Sequence, residues 1–133
     1  MAETTEFELV SPEKLLIAEP AEMVVVPGTE GDFGALPRHS PMITAVRPGV
    51  IDVYKDGKID KRIFVAGGFA EVNETRITVL AEEAIPLTEA SVEMATERLA
   101  AAERDVAAAT GEPAKRETAR KLAIALALRQ AVS

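Results

Sequence analysis

Cysteine and tryptophan are absent from these 133 residues, and histidine and tyrosine occur once each. Without cysteine there is neither a disulfide nor a thiolate metal site. The single histidine, His39, argues against a zinc centre as well. No apolar run approaches the ~20 residues that span a bilayer as a helix. The opening MAETTEFE is acidic rather than basic-then-apolar, so no targeting leader is read there and a cytosolic protein is expected. The formal net charge of -7 disfavours nonspecific binding to nucleic acid or anionic lipid.

What is present divides into two halves with different periods. Up to Leu87, short β segments alternate with turns: Phe7 and Leu9 among polar neighbours, then Met23–Val26, Val50–Tyr54, Ile63–Ala66 and Ile77–Leu80. Pro27-Gly28, Pro48-Gly49, Asp56-Gly57 and Gly67-Gly68 punctuate them. Pro-Gly suits a type II turn, and Asp-Gly between β-branched runs signals a hairpin. The pattern predicts an antiparallel β-sandwich or barrel over 1–87.

From Thr88 onward alanine dominates, and the only glycine and proline lie in Gly111-Glu112-Pro113. Val92, Ala95, Leu99, Ala102, Val106 and Ala109 are spaced as the apolar seam of a helix packed on a helix. Gly111 and Pro113 mark the reversal, so 88–133 reads as an antiparallel helical hairpin. In the second arm Leu122 and Leu126 share one side and Ile124 and Leu128 another, and a single partner helix covers only one of them. The other stripe needs either the β domain or a different chain. Charge is divided too. Residues 1–87 carry 8 Lys and Arg against 15 Asp and Glu, whereas Ala114–Ser133 holds five basic residues and one acid, a balance of +4. Pairing within the hairpin accounts for part of this, and a basic, apolar arm also suits an acidic cleft.

Catalytic chemistry is missing. Gly28, Gly31 and Gly34 are spaced G-x-x-G-x-x-G rather than as a dinucleotide turn, with Pro37 and Pro41 following. No phosphate-binding P-loop motif occurs, and His39 and Ser40, being adjacent, are poorly placed to serve one triad. The stretch GDFGALPRHSPMIT over 31–44 reads as a rigid exposed loop, anchored by Phe33, Leu36, Met42 and Ile43. His39 is expected to orient that loop by a backbone hydrogen bond.

At these residues the chain resembles the epsilon subunit family of bacterial F-type ATP synthases. The matching elements are Leu9–Glu13, Pro27–Gly34, Pro37–Thr44, Pro48-Gly49, Gly67–Val72 and Thr78–Glu82. The resemblance spans the whole chain, including the order of sandwich and hairpin. It implies a non-catalytic central-stalk subunit without a cofactor, peripheral to the cytoplasmic face of the bacterial inner membrane through its complex. The sandwich would bind the gamma subunit and the c-ring, with Glu30, Asp32, Arg38 and His39 as candidate contacts. The hairpin would be a regulatory arm able to reach the alpha/beta head, with Arg116, Arg120, Lys121 and Arg129 facing acidic loops. Whether it inhibits hydrolysis stays open. The family's ATP motif, Ile/Leu-Asp-x-x-Arg-Ala, aligns with Ala90-Ser91-Val92-Glu93-Met94-Ala95, where both its aspartate and its arginine are missing. No tight ATP binding is therefore expected. A freestanding sandwich that senses a small molecule and an adaptor docking through its helices are the competing classes.

Overall fold

Alternation of buried and half-exposed residues runs through Thr5–Val10 (β1), with Thr5, Phe7 and Leu9 turned inward, as a strand covering one face of a core requires. The computed structural model describes residues 3–133. Seven more strands follow: β2 (Leu15–Ala21), β3 (Met23–Gly28), β4 (Gly31–Ala35), β5 (Met42–Ala45), β6 (Gly49–Lys55), β7 (Lys58–Val72) and β8 (Arg76–Pro86). A 3-10 turn at Leu87–Glu89 leads to two helices, α1 (Val92–Ala108) and α2 (Glu112–Ala131). The chain forms two compact units, one ending at Pro86 and the other spanning Leu87–Ser133.

The first unit is a β-sandwich with hydrogen-bonded order β2-β1-β8-β7-β6-β3-β4, and β5 pairs with the end of β7. Its pairs are antiparallel except β1 with β8, which run parallel from Glu6↔Arg76 to Val10↔Leu80. The antiparallel sandwich read from the sequence is thus present, with one parallel pair inside it. A parallel pair between distant strands has no local turn to announce it, so spacing along the chain cannot reveal it. Phe7, Leu9, Val24, Val26, Ile51, Val53, Val65, Val72, Ile77 and Val79 fill the core, each essentially without exposure. Each such side chain contributes roughly 1.5–3 kcal/mol by leaving water.

Turn chemistry departs from expectation in two places. Pro27 and Gly28 belong to β3, and Gly28 pairs with Gly31, so the reversal falls on Thr29-Glu30. Gly67-Gly68 does not end a strand; it lies inside β7, with φ of 71° and 104°. The first part of β7 pairs with β6 and its last four residues pair with β5, so one bent strand serves both layers. A Cβ on Gly68 would lie 1.7 Å from the Leu80 carbonyl oxygen, which only glycine avoids. Asp56-Gly57 does make the expected hairpin, with both residues at positive φ. The Glu22 carboxylate accepts both of their backbone N–H groups at 3.0 Å.

In the second unit, Ser91 caps α1, its Oγ accepting the Met94 N–H at 3.0 Å. Gly111, at φ 83°, precedes α2, and Pro113 sits in its first turn. The anticipated seam is realised only near one end. Ala95 and Ala102 are buried, Leu99 partly so, while Val92 and Val106 are exposed. From α2, Ile124, Ala125 and Leu128 are buried and Leu126 is 45% exposed. No residue from 103 to 123 is buried.

Candidate functional site

The strands β5, β7, β8 and β1 have an apolar outer face as well as an apolar inner one. Cross-strand register places Ala45 opposite Phe69, Phe69 opposite Leu80, and Leu80 beside Val10, a stripe crossing four strands. Ile43, one pleat along β5, is 71% exposed, Phe69 57% and Leu80 44%. These side chains point outward because their neighbours Ala70, Val72, Val79 and Ala81 point inward. With Val10, Glu71 and Thr78 they line an open depression of about 310 Å³. Its flank is acidic. Glu71 lies opposite both Ile43 and Thr78, and the Glu8 carboxylate accepts from Thr78 Oγ1 at 3.3 Å and lies 3.6 Å from Arg76. The depression is lined by four apolar side chains together with Glu71 and Thr78, and an exposed apolar patch of this kind with a polar rim is typical of protein interfaces.

The four candidate contacts of the sandwich fall on the hairpin turn, strand and loop that precede β5. Glu30 is exposed in the β3–β4 turn. Asp32 lies on β4 and pairs with Arg47 at 2.5 Å. Arg38 sits in the loop from β4 to β5 at φ 67°, its backbone N–H donating to the Glu74 carbonyl at 2.8 Å and its guanidinium pairing with Glu3. His39 makes a backbone hydrogen bond, to its neighbour. Its Nδ1 lies 2.6 Å from the Ser40 carbonyl oxygen, and its ring centroid is 6.3 Å from that of Phe33. Asp32 and Arg38 are thus held by different partners. The stretch is also less of a loop than its prolines suggest, since β4 and β5 occupy both its ends. Of its four supposed anchors, Phe33 and Met42 pack on the core, whereas Leu36 and Ile43 are exposed.

On α2, Arg116, Lys121 and Arg120 are exposed, and Arg120 pairs with Glu117 at 2.8 Å one turn earlier. That hydrogen bond holds the Glu117 carboxyl below the ordinary range. Arg129 donates to Ser133 Oγ at 2.7 Å. Elsewhere, the hydrogen bonds that Lys61 donates to Glu19 and then to Asp60 raise its pKa. Among the described residues no cluster of metal-binding side chains occurs, and no helix is long and apolar enough to cross a membrane.

Sequence reasoning missed the apolar stripe. In Gly68-Phe69-Ala70 a phenylalanine is the natural choice for the core and an alanine for the surface, and the fold does the reverse. Period-two alternation cannot say which face is inside when both carry apolar residues.

Comparison with known proteins meets this geometry. The model of the ATP synthase Delta/Epsilon chain beta-sandwich domain matches residues 4–87. The ATP synthase epsilon chain of Rhodospirillum rubrum is 62% identical over 128 residues, 96% of each chain. That of Paramagnetospirillum magneticum is 56% identical over 133 residues, the full length of both. Among solved structures, a chain of the Euglena gracilis mitochondrial ATP synthase OSCP/F1/c-ring assembly superposes with a TM-score of 0.82 at 26% identity, covering 98% of this chain and 82% of that one. A chain of the Tetrahymena thermophila central stalk and c-ring shares the fold, with a TM-score of 0.69 at 9% identity. A sandwich followed by paired helices fits these relatives throughout: the chain belongs to the ATP synthase epsilon chain family, non-catalytic central-stalk subunits of the F-type ATP synthase.

Proposed function

We propose that the sandwich couples two rotor elements, with its apolar outer face docked on the gamma subunit and its acidic turn and following loop facing the polar loops of the c-ring. The observation that carries this reading is the stripe of Val10, Ile43, Phe69 and Leu80, left open to solvent in the isolated chain. A surface of that kind is the ordinary mark of a protein interface. Glu30, Asp32, Arg38 and His39 are the candidate ring contacts, and they transmit torque as a set rather than singly. The basic side chains Arg116, Arg120, Lys121 and Arg129 suit an acidic surface of the alpha/beta head, and the chain would lie at the cytoplasmic face of the inner membrane through the complex.

Co-purification tests the docking. A Phe69→Asp or Ile43→Asp chain is expected to lose gamma while keeping its melting temperature, because both side chains are solvent-exposed before binding. Phe69→Ala should weaken binding roughly tenfold, as for a central interface aromatic. Undiminished capture of gamma by both aspartate variants would remove the assignment of this face.

A further inference from the structure

The outer face of β5, β7, β8 and β1 carries a second row of side chains beside the apolar one. Register places Ile43 opposite Glu71, Glu71 opposite Thr78, and Thr78 beside Glu8. Their neighbours Phe7, Val72 and Ile77 face the core, which turns this row outward. Its two acids stand in different circumstances. Glu8 is compensated within the chain, since it accepts the Thr78 hydroxyl at 3.3 Å and lies 3.6 Å from Arg76 Nη1. The exposed Glu71 carboxylate has neither an ion-pair nor a hydrogen-bond partner among the described residues. The hydroxyl proton of Thr78, its cross-strand neighbour, is turned to Glu8 instead. Glu71 and Ile43 also line both the depression described above and a second one, of about 330 Å³, that reaches to Pro41 and Asn73.

We propose that Glu71 is the charge that selects and orients the partner on this face: it receives an arginine or lysine of gamma, in a pair formed only on docking. The inference rests on the docking of gamma proposed above and names the chemistry that gamma must bring. An ionised carboxylate stripped of water without a partner opposes binding strongly. A wholly apolar partner would therefore be held by Phe69 and repelled by Glu71, and a cation opposite Glu71 removes that conflict. The wider charge points the same way, because residues 1–87 carry 8 Lys and Arg against 15 Asp and Glu. Spacing adds selectivity. Glu71 stands two residues from Phe69 on one strand, so the cation must sit about 7 Å from the pocket that takes the ring. A partner without that spacing leaves a charge unpaired and is rejected.

Binding of full-length variants to an alpha/beta head that carries gamma and has been stripped of this chain tests the pair, with association and dissociation rates followed at low and high salt. Glu71→Gln keeps the shape of the side chain and should raise Kd roughly thirtyfold or more, chiefly through faster dissociation, because the cation of gamma is left buried without its counter-charge. Glu71→Lys should abolish binding. Glu8→Gln should change Kd by less than about threefold, as for a charge already partnered at the surface. Both Glu71 variants should keep the native melting temperature, since the side chain is exposed before docking. Native Kd in Glu71→Gln together with loss of binding in Phe69→Asp overturns the pair and leaves the docking face standing. Tighter binding by Glu71→Gln reveals a carboxylate buried without a partner and overturns the pair as well. A loss confined to the association rate and erased by salt makes Glu71 a rim charge that steers without pairing, which also overturns it. Native binding by Glu71→Gln, Phe69→Asp and Ile43→Asp alike removes gamma from this face, and the pair with it.

Discussion

Single positions in this sandwich differ sharply in what they tolerate, and neighbouring backbone decides it. Gly68 combines a φ of 104° with a Leu80 carbonyl oxygen 1.7 Å from where a Cβ would stand. Gly57 also has a positive φ, 74°, but nothing lies within 4 Å of its Cβ position. Gly68→Ala should therefore cost about 3 kcal/mol or more, or prevent folding, because strand pairing must open. Gly57→Asn should cost under about 1 kcal/mol, since asparagine tolerates the left-handed region. Urea denaturation of the two variants separates them, and equal midpoints would contradict the packing described around Gly68. Arg38 holds a left-handed φ without being glycine, fixed by its backbone bond to Glu74 and its pair with Glu3. Its spacing between two prolines marked the loop in the sequence; its contact with the β7–β8 turn did not show there.

Elements are joined here by polar links that spacing does not reveal. The edge strand β2 is tied to β6 and β7 by Glu19, whose carboxylate meets Lys61 at 2.9 Å and Lys55 at 3.4 Å. Lys61 gains acidic partners, Glu19 first and Asp60 second, on folding, so its pKa rises above the ordinary lysine value. The stabilisation is then fully present below that value and is lost as the pH climbs through the folded one. Alkaline unfolding should consequently begin earlier in the native chain than in Lys61→Met, relative to each at neutral pH. Parallel curves in alkaline denaturation would show that Lys61 gains nothing from Glu19. The effect is small, because Lys61 remains 41% exposed. Glu117 runs the other way: its contribution to α2 is present above the ordinary carboxylate range and lost as the pH falls through its lowered value. The hairpin itself is uneven. With no buried residue from 103 to 123, its far half relies on helix propensity and local pairs. Amide exchange should be fastest there and slowest around Ala95, Ala102 and Ile124, and uniform protection would refute that gradient.

The whole molecule is two units with different tasks in the proposed rotor. If the hairpin restrains hydrolysis, a chain ending after Leu87 should release ATP hydrolysis in the reconstituted motor while remaining bound to gamma. Equal rates would leave the hairpin without an inhibitory role. Nucleotide titration of the full chain should show no micromolar ATP site, because the stretch Ala90–Ala95 offers neither the aspartate nor the arginine of the family motif. The order of sandwich then hairpin, the Asp56-Gly57 reversal and the backbone hydrogen bond of His39 were all legible in advance. Each is a local matter of period, turn chemistry or a neighbouring carbonyl.

By itself the sequence determined the two periods, the Asp56-Gly57 reversal and the Gly67-Gly68 pair that lets β7 take positive φ there. Only the tertiary structure decided that β1 lies parallel to β8, that Phe69 and Ile43 face water while Ala70 faces the core, and that Arg47 grips Asp32 across 15 residues. The physical reason is the same in each case. Pairing partners and the choice of inner face are set by contacts between segments far apart in the chain, and no local pattern encodes which segment will arrive.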